Sequence, residues 1–418
     1  MGRRLTMDDT IAGIYADGWS RIVATMIRFT GGDWDLAEEC AQDAFAQALR
    51  VWPADGVPDQ PLAWLTTVAR RRALDRIRRA GVEREKLREV AMEPVPPPYA
   101  GDADIPDERL ELMFTCCHPA LNVEAQVALT LRSVAGMSTA EIARAFLVPE
   151  KTLGQRLFRA KQRIRQAGIP FRVPPGHLLP ERLSAVLHVL YLLFNEGWSG
   201  REQLSVEAIR IGRTLTVLMP DEPEALGLLA LMLLQDARRE ARTGVDGELL
   251  TLEEQDRSRW DRRRIDEGAA LVERALRRGR AGAFQLQAAI AACHATAPSM
   301  DETDWPQIVG LYDVLRTVAP GPVVELNRAV AVAMASGPEA GLALVDTIDG
   351  LDGYHLLHAT RAELLVRAGR ADEAAKSLSR AVDLAPTEAE RRLLTERSAA
   401  SRRTGPRTGP LSGPPPAG

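Results

Sequence analysis

The chain has 418 residues, 53 basic against 57 acidic for a formal net charge of −4, and 45% of it is hydrophobic. Such a length predicts two or three domains. With no run of about twenty apolar residues and no charged-then-apolar leader, a cytoplasmic protein without a membrane span is expected, and four cysteines in 418 residues suit a reducing compartment.

In chain order, apolar positions recur with helical spacing almost throughout, and few β-branched alternating runs interrupt them. All-α is the predicted class. A first helical unit is expected over 8–82, broken by the loop PADGVPDQP at Pro53–Pro61. A linker follows over 83–107, where EPVPPPYAGDADIPD is rich in proline and acids and suits extended chain. A basic helical unit is predicted over 108–169, FRVPPGH marks a boundary, and a long helical region runs over 178–400. The tail over 401–418 is low in complexity and predicted to be disordered. Within the second unit, Cys116, Cys117 and His118 resemble a ligand cluster. Metal sites space their cysteines by two or more residues, so small buried side chains at a helix start are the favoured reading and no metal is expected.

The stretch AEIARAFLVPEKTLGQRLFRAKQRIRQ, from Ala140 to Gln166, reads as two helices joined by a tight turn. Gly136 can end the preceding helix with a left-handed backbone, and Ser138 with Glu141 forms a capping box. Pro149 suits the first position of the second helix. On a helical wheel Leu153, Leu157, Ala160 and Ile164 share one side, while Lys151, Gln155, Phe158, Arg159 and Gln162 share the other, flanked by Thr152, Arg156 and Arg163. From Gln126 to Arg172 nine basic residues face only two acidic ones. Such a helix places Gln155 and Arg159 at base edges, where Gln pairs with adenine and Arg with guanine. Arg156, Lys161 and Arg163 suit phosphates. Phe158 suits either a thymine methyl or packing on a neighbouring segment.

The third region carries a degenerate repeat. Ala362, Leu365, Gly369, Ala374, Leu378, Ala381 and Pro386 stand at tetratricopeptide spacings. Ala208, Leu215 and Pro220, then Leu226, Ala230 and Leu233, then Ile308, Tyr312, Leu315 and Pro320 echo parts of it. Stacked hairpins of this kind present a concave face that suits a protein or peptide partner. In FNEGW, from Phe194 to Trp198, Gly197 is expected to cap a helix while Trp198 folds back on it. His355 and His358, one turn apart, are read as packing rather than as metal ligands.

The segments DLAEECAQDAFAQALRVW and PLAWLTTVARRRALDRIRR, followed by a linker and the basic helix-turn-helix, resemble in that order bacterial RNA polymerase sigma factors of the extracytoplasmic-function (ECF) group. The resemblance implies a non-enzymatic initiation factor without cofactors, whose partners are core RNA polymerase and promoter DNA. It puts Asp35, Glu38, Glu39, Asp43 and Phe45 on the helix of region 2 that docks on the polymerase clamp. Trp64, Arg70, Arg71, Arg72 and Arg76 fall on the helix that opens the −10 element, where an aromatic beside arginines can stack an unpaired base while its phosphates are neutralised. Lys151, Thr152, Gln155, Arg156, Phe158, Arg159, Gln162 and Arg163 fall on the −35 reader of region 4. Arg71 replaces a common asparagine, and Gly154 and Gln155 replace the usual residues of the reading helix. DERLELMFTCCHPAL and RLSAVLHVLYLLFNEGWSG extend the resemblance to the subgroup with a tetratricopeptide-like C-terminal extension, which takes the place of a separate anti-sigma protein as the controlling element. The competing reading is a conventional helix-turn-helix regulator with a sensing repeat domain, which would need neither a clamp helix nor a melting helix.

Overall fold

The computed structural model describes residues 7–80, 107–146, 148–198, 202–244, 250–279, 281–385, 391, 392, 394 and 395. Apart from Asp107, the expected linker over 83–107 lies outside them, as do Pro386 and the tail over 401–418. Every regular element among the described residues is helical, and the chain divides into two compact units, 1–211 and 212–418.

The first unit opens with α1 (Met7–Phe29), α2 (Trp34–Asp55) and α3 (Pro61–Ala80), each packed on the other two. Gly31 and Gly32, at φ 66° and 91°, turn the chain between α1 and α2. Asp33 then caps α2 by accepting the Leu36 amide at 3.1 Å. Alanines 37, 41, 44 and 48 keep one face of α2 narrow and buried, which lets neighbouring helices approach closely, and Trp19, Trp52 and Leu65 fill the centre. The expected break at 53–61 is shorter, because α2 carries Pro53 in its last turn and stops at Gly56, at φ 84°.

Four shorter helices follow: α4 (Arg109–Cys116), α5 (Val123–Leu129), α6 (Thr139–Ala145) and α7 (Glu150–Gln166). Asn122 caps α5, which widens into a π turn over Thr130–Val134. Gly136, at φ 78°, reverses the chain, and Ser138 and Glu141 form the capping box of α6. Pro149 caps α7 from one position earlier than expected, with Glu150 the first helical residue. Cys116 and Cys117 stand at the end of α4 rather than at a helix start, and both are buried. Burial pushes the Cys117 thiol up to about 12, so it packs as a small apolar group.

Helix α8 (Leu179–Trp198) lies against α4 and α5, and the Arg182 guanidinium donates to the Phe114 carbonyl at 2.7 Å. Arg210 of α9 (Glu202–Leu218) donates to the Ala135 carbonyl at 3.1 Å. The expected cap at Gly197 is corrected: the glycine sits inside α8, where any Cβ would collide with the Ser205 backbone, so its role is close helix approach.

In the second unit α10 (Pro223–Asp236) is buried from Ala225 to Asp236 and packs on α11 (Arg262–Leu276) and α12 (Ala283–Thr296). Helices α13 (Trp305–Val318), α14 (Pro322–Ser336), α15 (Pro338–Val345), α16 (His355–Arg367) and α17 (Ala371–Leu384) follow, each packed on its predecessor. Ala362, Leu365, Ala374, Leu378 and Ala381 are buried, and Gly369 turns between α16 and α17 at φ 75°. Leu226, Ala230, Leu233, Ile308 and Leu315 are buried too. His355 is buried against Tyr354, whereas His358 bonds the Asp352 carbonyl at 2.9 Å.

Candidate nucleic-acid interface and docking face

Helix α7 is amphipathic because its apolar positions repeat at three and four residues. Leu153, Leu157, Ala160 and Ile164 are buried and fix its roll, while α5 and α6 support it from beneath. Lys151, Thr152, Gln155, Phe158, Arg159, Gln162 and Arg163 are then exposed, and Arg156 is half-buried. Phe158 is 58% exposed, so packing on a neighbouring segment does not explain it. Lys161 departs from expectation. Its ammonium turns inward to Asp35 at 2.8 Å and Glu38 at 3.1 Å, and it holds no position for a phosphate.

On α3, the arginine cluster divides. Arg70 lies over the Phe29 ring at 5.3 Å, Arg72 donates to Gln47 at 3.3 Å, and Arg76 pairs with Glu39 at 2.6 Å and Asp43 at 2.9 Å. Arg71 is exposed and lines an open cavity of about 330 Å³ with Trp64, Gln60, Thr67 and Pro58. Trp64 rests on Trp52 with ring centroids 5.4 Å apart, which holds its indole in place. Gln60 and Thr67 escaped notice in the sequence, since only the turn of α3 brings them beside Trp64.

The acidic helix α2 also serves two neighbours. Glu39 and Asp43 face Arg76 of α3, whereas Asp35 and Glu38 face region 4. Glu38 is 5% exposed and accepts from Ser133 at 2.9 Å, from Lys161 at 3.1 Å and from Arg132 at 3.3 Å. Removing one partner of a buried charge cluster of this kind costs roughly 3–5 kcal/mol when the remaining charge is left uncompensated. Phe45 is buried in an aromatic group with Tyr15 and Trp19.

Residues 18–82 match sigma-70 region 2 and residues 111–164 match sigma-70 region 4. The ECF RNA polymerase sigma factor SigK of Mycobacterium ulcerans (strain Agy99) is 27% identical over 164 residues, covering 38% of this chain and 81% of that protein. The chain belongs to the ECF-type sigma-70 factors. As a sigma factor it is a non-enzymatic initiation protein whose partners are core RNA polymerase and promoter DNA. A conventional regulator, with no counterpart to region 2, does not account for residues 18–82.

This ECF sigma factor continues past region 4. Residues 182–276 match a family of unknown function, DUF6596. An uncharacterized protein, R00370 of Rhizobium meliloti (strain 1021), is 45% identical over 370 residues, covering 85% of this chain and 88% of that protein. The likeness therefore includes the extension as well as the sigma regions. No solved structure matches the chain. No helix among the described residues is long and apolar enough to cross a membrane.

Proposed function

We propose that this sigma factor reads the −35 element with the exposed face of α7 and opens the −10 element at the cavity on α3. The observation that carries the reading is the free face of α7, where Gln155, Phe158 and Arg159 stand exposed on a helix whose opposite side is locked into region 4. Gln155 and Arg159 supply base-edge hydrogen bonds, Phe158 a methyl contact, and Lys151, Thr152, Arg156, Gln162 and Arg163 the flanking backbone and groove contacts. At the other element, Trp64 offers a stacking surface for an unpaired base, Gln60 and Thr67 offer hydrogen bonds, and Arg71 offers charge to the phosphate. Arg70, Arg72 and Arg76 stiffen that wall through their contacts with Phe29, Gln47 and α2. Asp35, Glu38, Glu39 and Asp43 form the face that docks on the polymerase clamp, and Phe45, expected on that face, instead supports the helix from within, buried against Tyr15 and Trp19.

The C-terminal extension controls the sigma regions in this reading. Support comes from α8 and α9, which fasten region 4 through Arg182 and Arg210, and from the helical hairpins of the second unit, which suit a tetratricopeptide-like grip on a protein or peptide partner.

Permanganate probing of a promoter bound by the sigma factor and core polymerase tests the DNA roles. Unpaired thymines in the −10 element are expected with the full chain and are lost with Trp64→Ala or Arg71→Ala; retention of full reactivity in both variants contradicts the cavity's role. A chain ending after Asp221 tests control by the second unit. Transcript yield per polymerase is expected to differ from that of the full chain, and equal yields contradict it.

A further inference from the structure

We propose that region 4 latches over the docking face of region 2, so that the free sigma factor is closed and must release α7 from α2 before core polymerase can bind. This rests on the reading of α2 as the clamp-docking helix, and it adds the regulation of that same face. Two of the docking carboxylates are held by region 4 itself: Lys161 spans Asp35 and Glu38, and Ser133 and Arg132 complete the shell around Glu38. Three donors from region 4 fill three of the roughly four acceptor sites of the Glu38 carboxylate, and at 5% exposure the group is closed to an incoming clamp. The packing also runs the other way, since Arg28 of α1 pairs with Glu108 beside α4 and with Glu111 at 3.7 Å. Ion pairs of opposite polarity on the two sides of the contact select this register of region 4 on region 2 and disfavour a shifted one.

The contact is polar where it meets α2, which suits a surface that must open. An obligate domain interface would bury apolar side chains there, whereas Lys161, Arg132, Asp35 and Glu38 can each be rehydrated or handed to another partner. Competition then becomes simple arithmetic: if only a fraction of the free chain is open, the apparent affinity for core polymerase falls by that fraction.

Lys161→Met in the full chain keeps the stem of the side chain and removes its charge, and it leaves every docking residue intact. Binding to sigma-free core polymerase without DNA is expected to tighten at least threefold. In the unsubstituted protein, backbone amides over 133–137 are expected to lose hydrogen-exchange protection when core polymerase binds. Glu39→Gln and Asp43→Asn, whose partner Arg76 lies on α3, report on the docking helix by itself and are expected to weaken core binding. If those two variants weaken binding while Lys161→Met leaves it unchanged and protection over 133–137 persists, the latch is overturned and the docking helix stands. If Glu39→Gln and Asp43→Asn bind as tightly as the unsubstituted chain, the docking reading falls, and the latch with it.

Discussion

The Tyr15 hydroxyl donates to the Gly136 carbonyl at 2.9 Å, joining the first helix of region 2 to the turn that opens the helix-turn-helix of region 4. The neighbouring carbonyl of Ala135 accepts from Arg210, so one turn is held by region 2 on one side and by the extension on the other. Any Cβ at Gly136 would lie 2.8 Å from Trp19, and its φ of 78° is one that only glycine adopts without strain. Gly136→Ala is expected to lower the stability of the first unit by about 1–3 kcal/mol, measured as a urea midpoint by tryptophan fluorescence. Tyr15→Phe, which loses one hydrogen bond, is expected to cost about 1 kcal/mol.

Gly154 lies within α7 with open space where a Cβ would stand. Gly154→Ala is expected to stabilise region 4 by about 0.5–1 kcal/mol through the lower entropy of the unfolded chain and better helix propensity. If the backbone at Gly154 approaches DNA closely, the same variant weakens −35 binding despite the more stable fold; unchanged binding would place the DNA further along the helix.

Arg159→Ala is expected to weaken promoter binding by roughly 1–3 kcal/mol at one base position, read by comparing promoter variants at fixed salt. A uniform loss on all sequences would assign Arg159 to a phosphate.

Removing everything after Gly176 takes away α8, which covers α4 and α5 and carries Arg182. Leu183, Val186, Leu187, Leu190 and Phe194 are buried in the intact chain, so the shortened protein exposes the apolar surface they cover. Its region 4 is expected to unfold at lower temperature and promoter-dependent transcription to be lost. A shortened protein as stable and as active as the full chain would show that α8 is no part of the working sigma domain.

His294 of the second unit is held down at about 3 by burial, with Arg238 and Arg257 adding repulsion, while the unfolded chain titrates near 6.5. The folded imidazole therefore stays neutral where the unfolded one takes a proton. Stability contributed by His294 is full above about pH 6.5 and declines as pH falls toward 3, with a loss of about 1–2 kcal/mol expected at pH 5. His294→Phe should flatten this decline in pH-dependent unfolding curves that follow Trp260 and Trp305; an unaltered decline would place the sensitivity elsewhere.

Much of this was legible in sequence, because caps and helix faces are local. The Ser138 and Glu141 box, the buried stripe of α7 and the exposed set around Arg159 all follow from spacings of three and four residues. The cluster at Glu38 was not, since Lys161 lies 123 residues from Glu38 and its charge alone suits a phosphate contact. Pro149 and Pro53 show the usual limit at helix ends, where one residue decides whether a proline caps, starts or ends a turn. Gly197 looked like a cap because its tight contact with Ser205 is invisible until two helices are packed together.

The most direct test mixes the purified chain with sigma-free core polymerase and genomic promoter fragments and maps the 5′ ends of the transcripts. A stable complex with core is expected, with discrete transcripts starting at a small set of sites that share one −35 and one −10 sequence. Failure to form any stable complex with core, or transcripts no different from those of core alone, would contradict the initiation role.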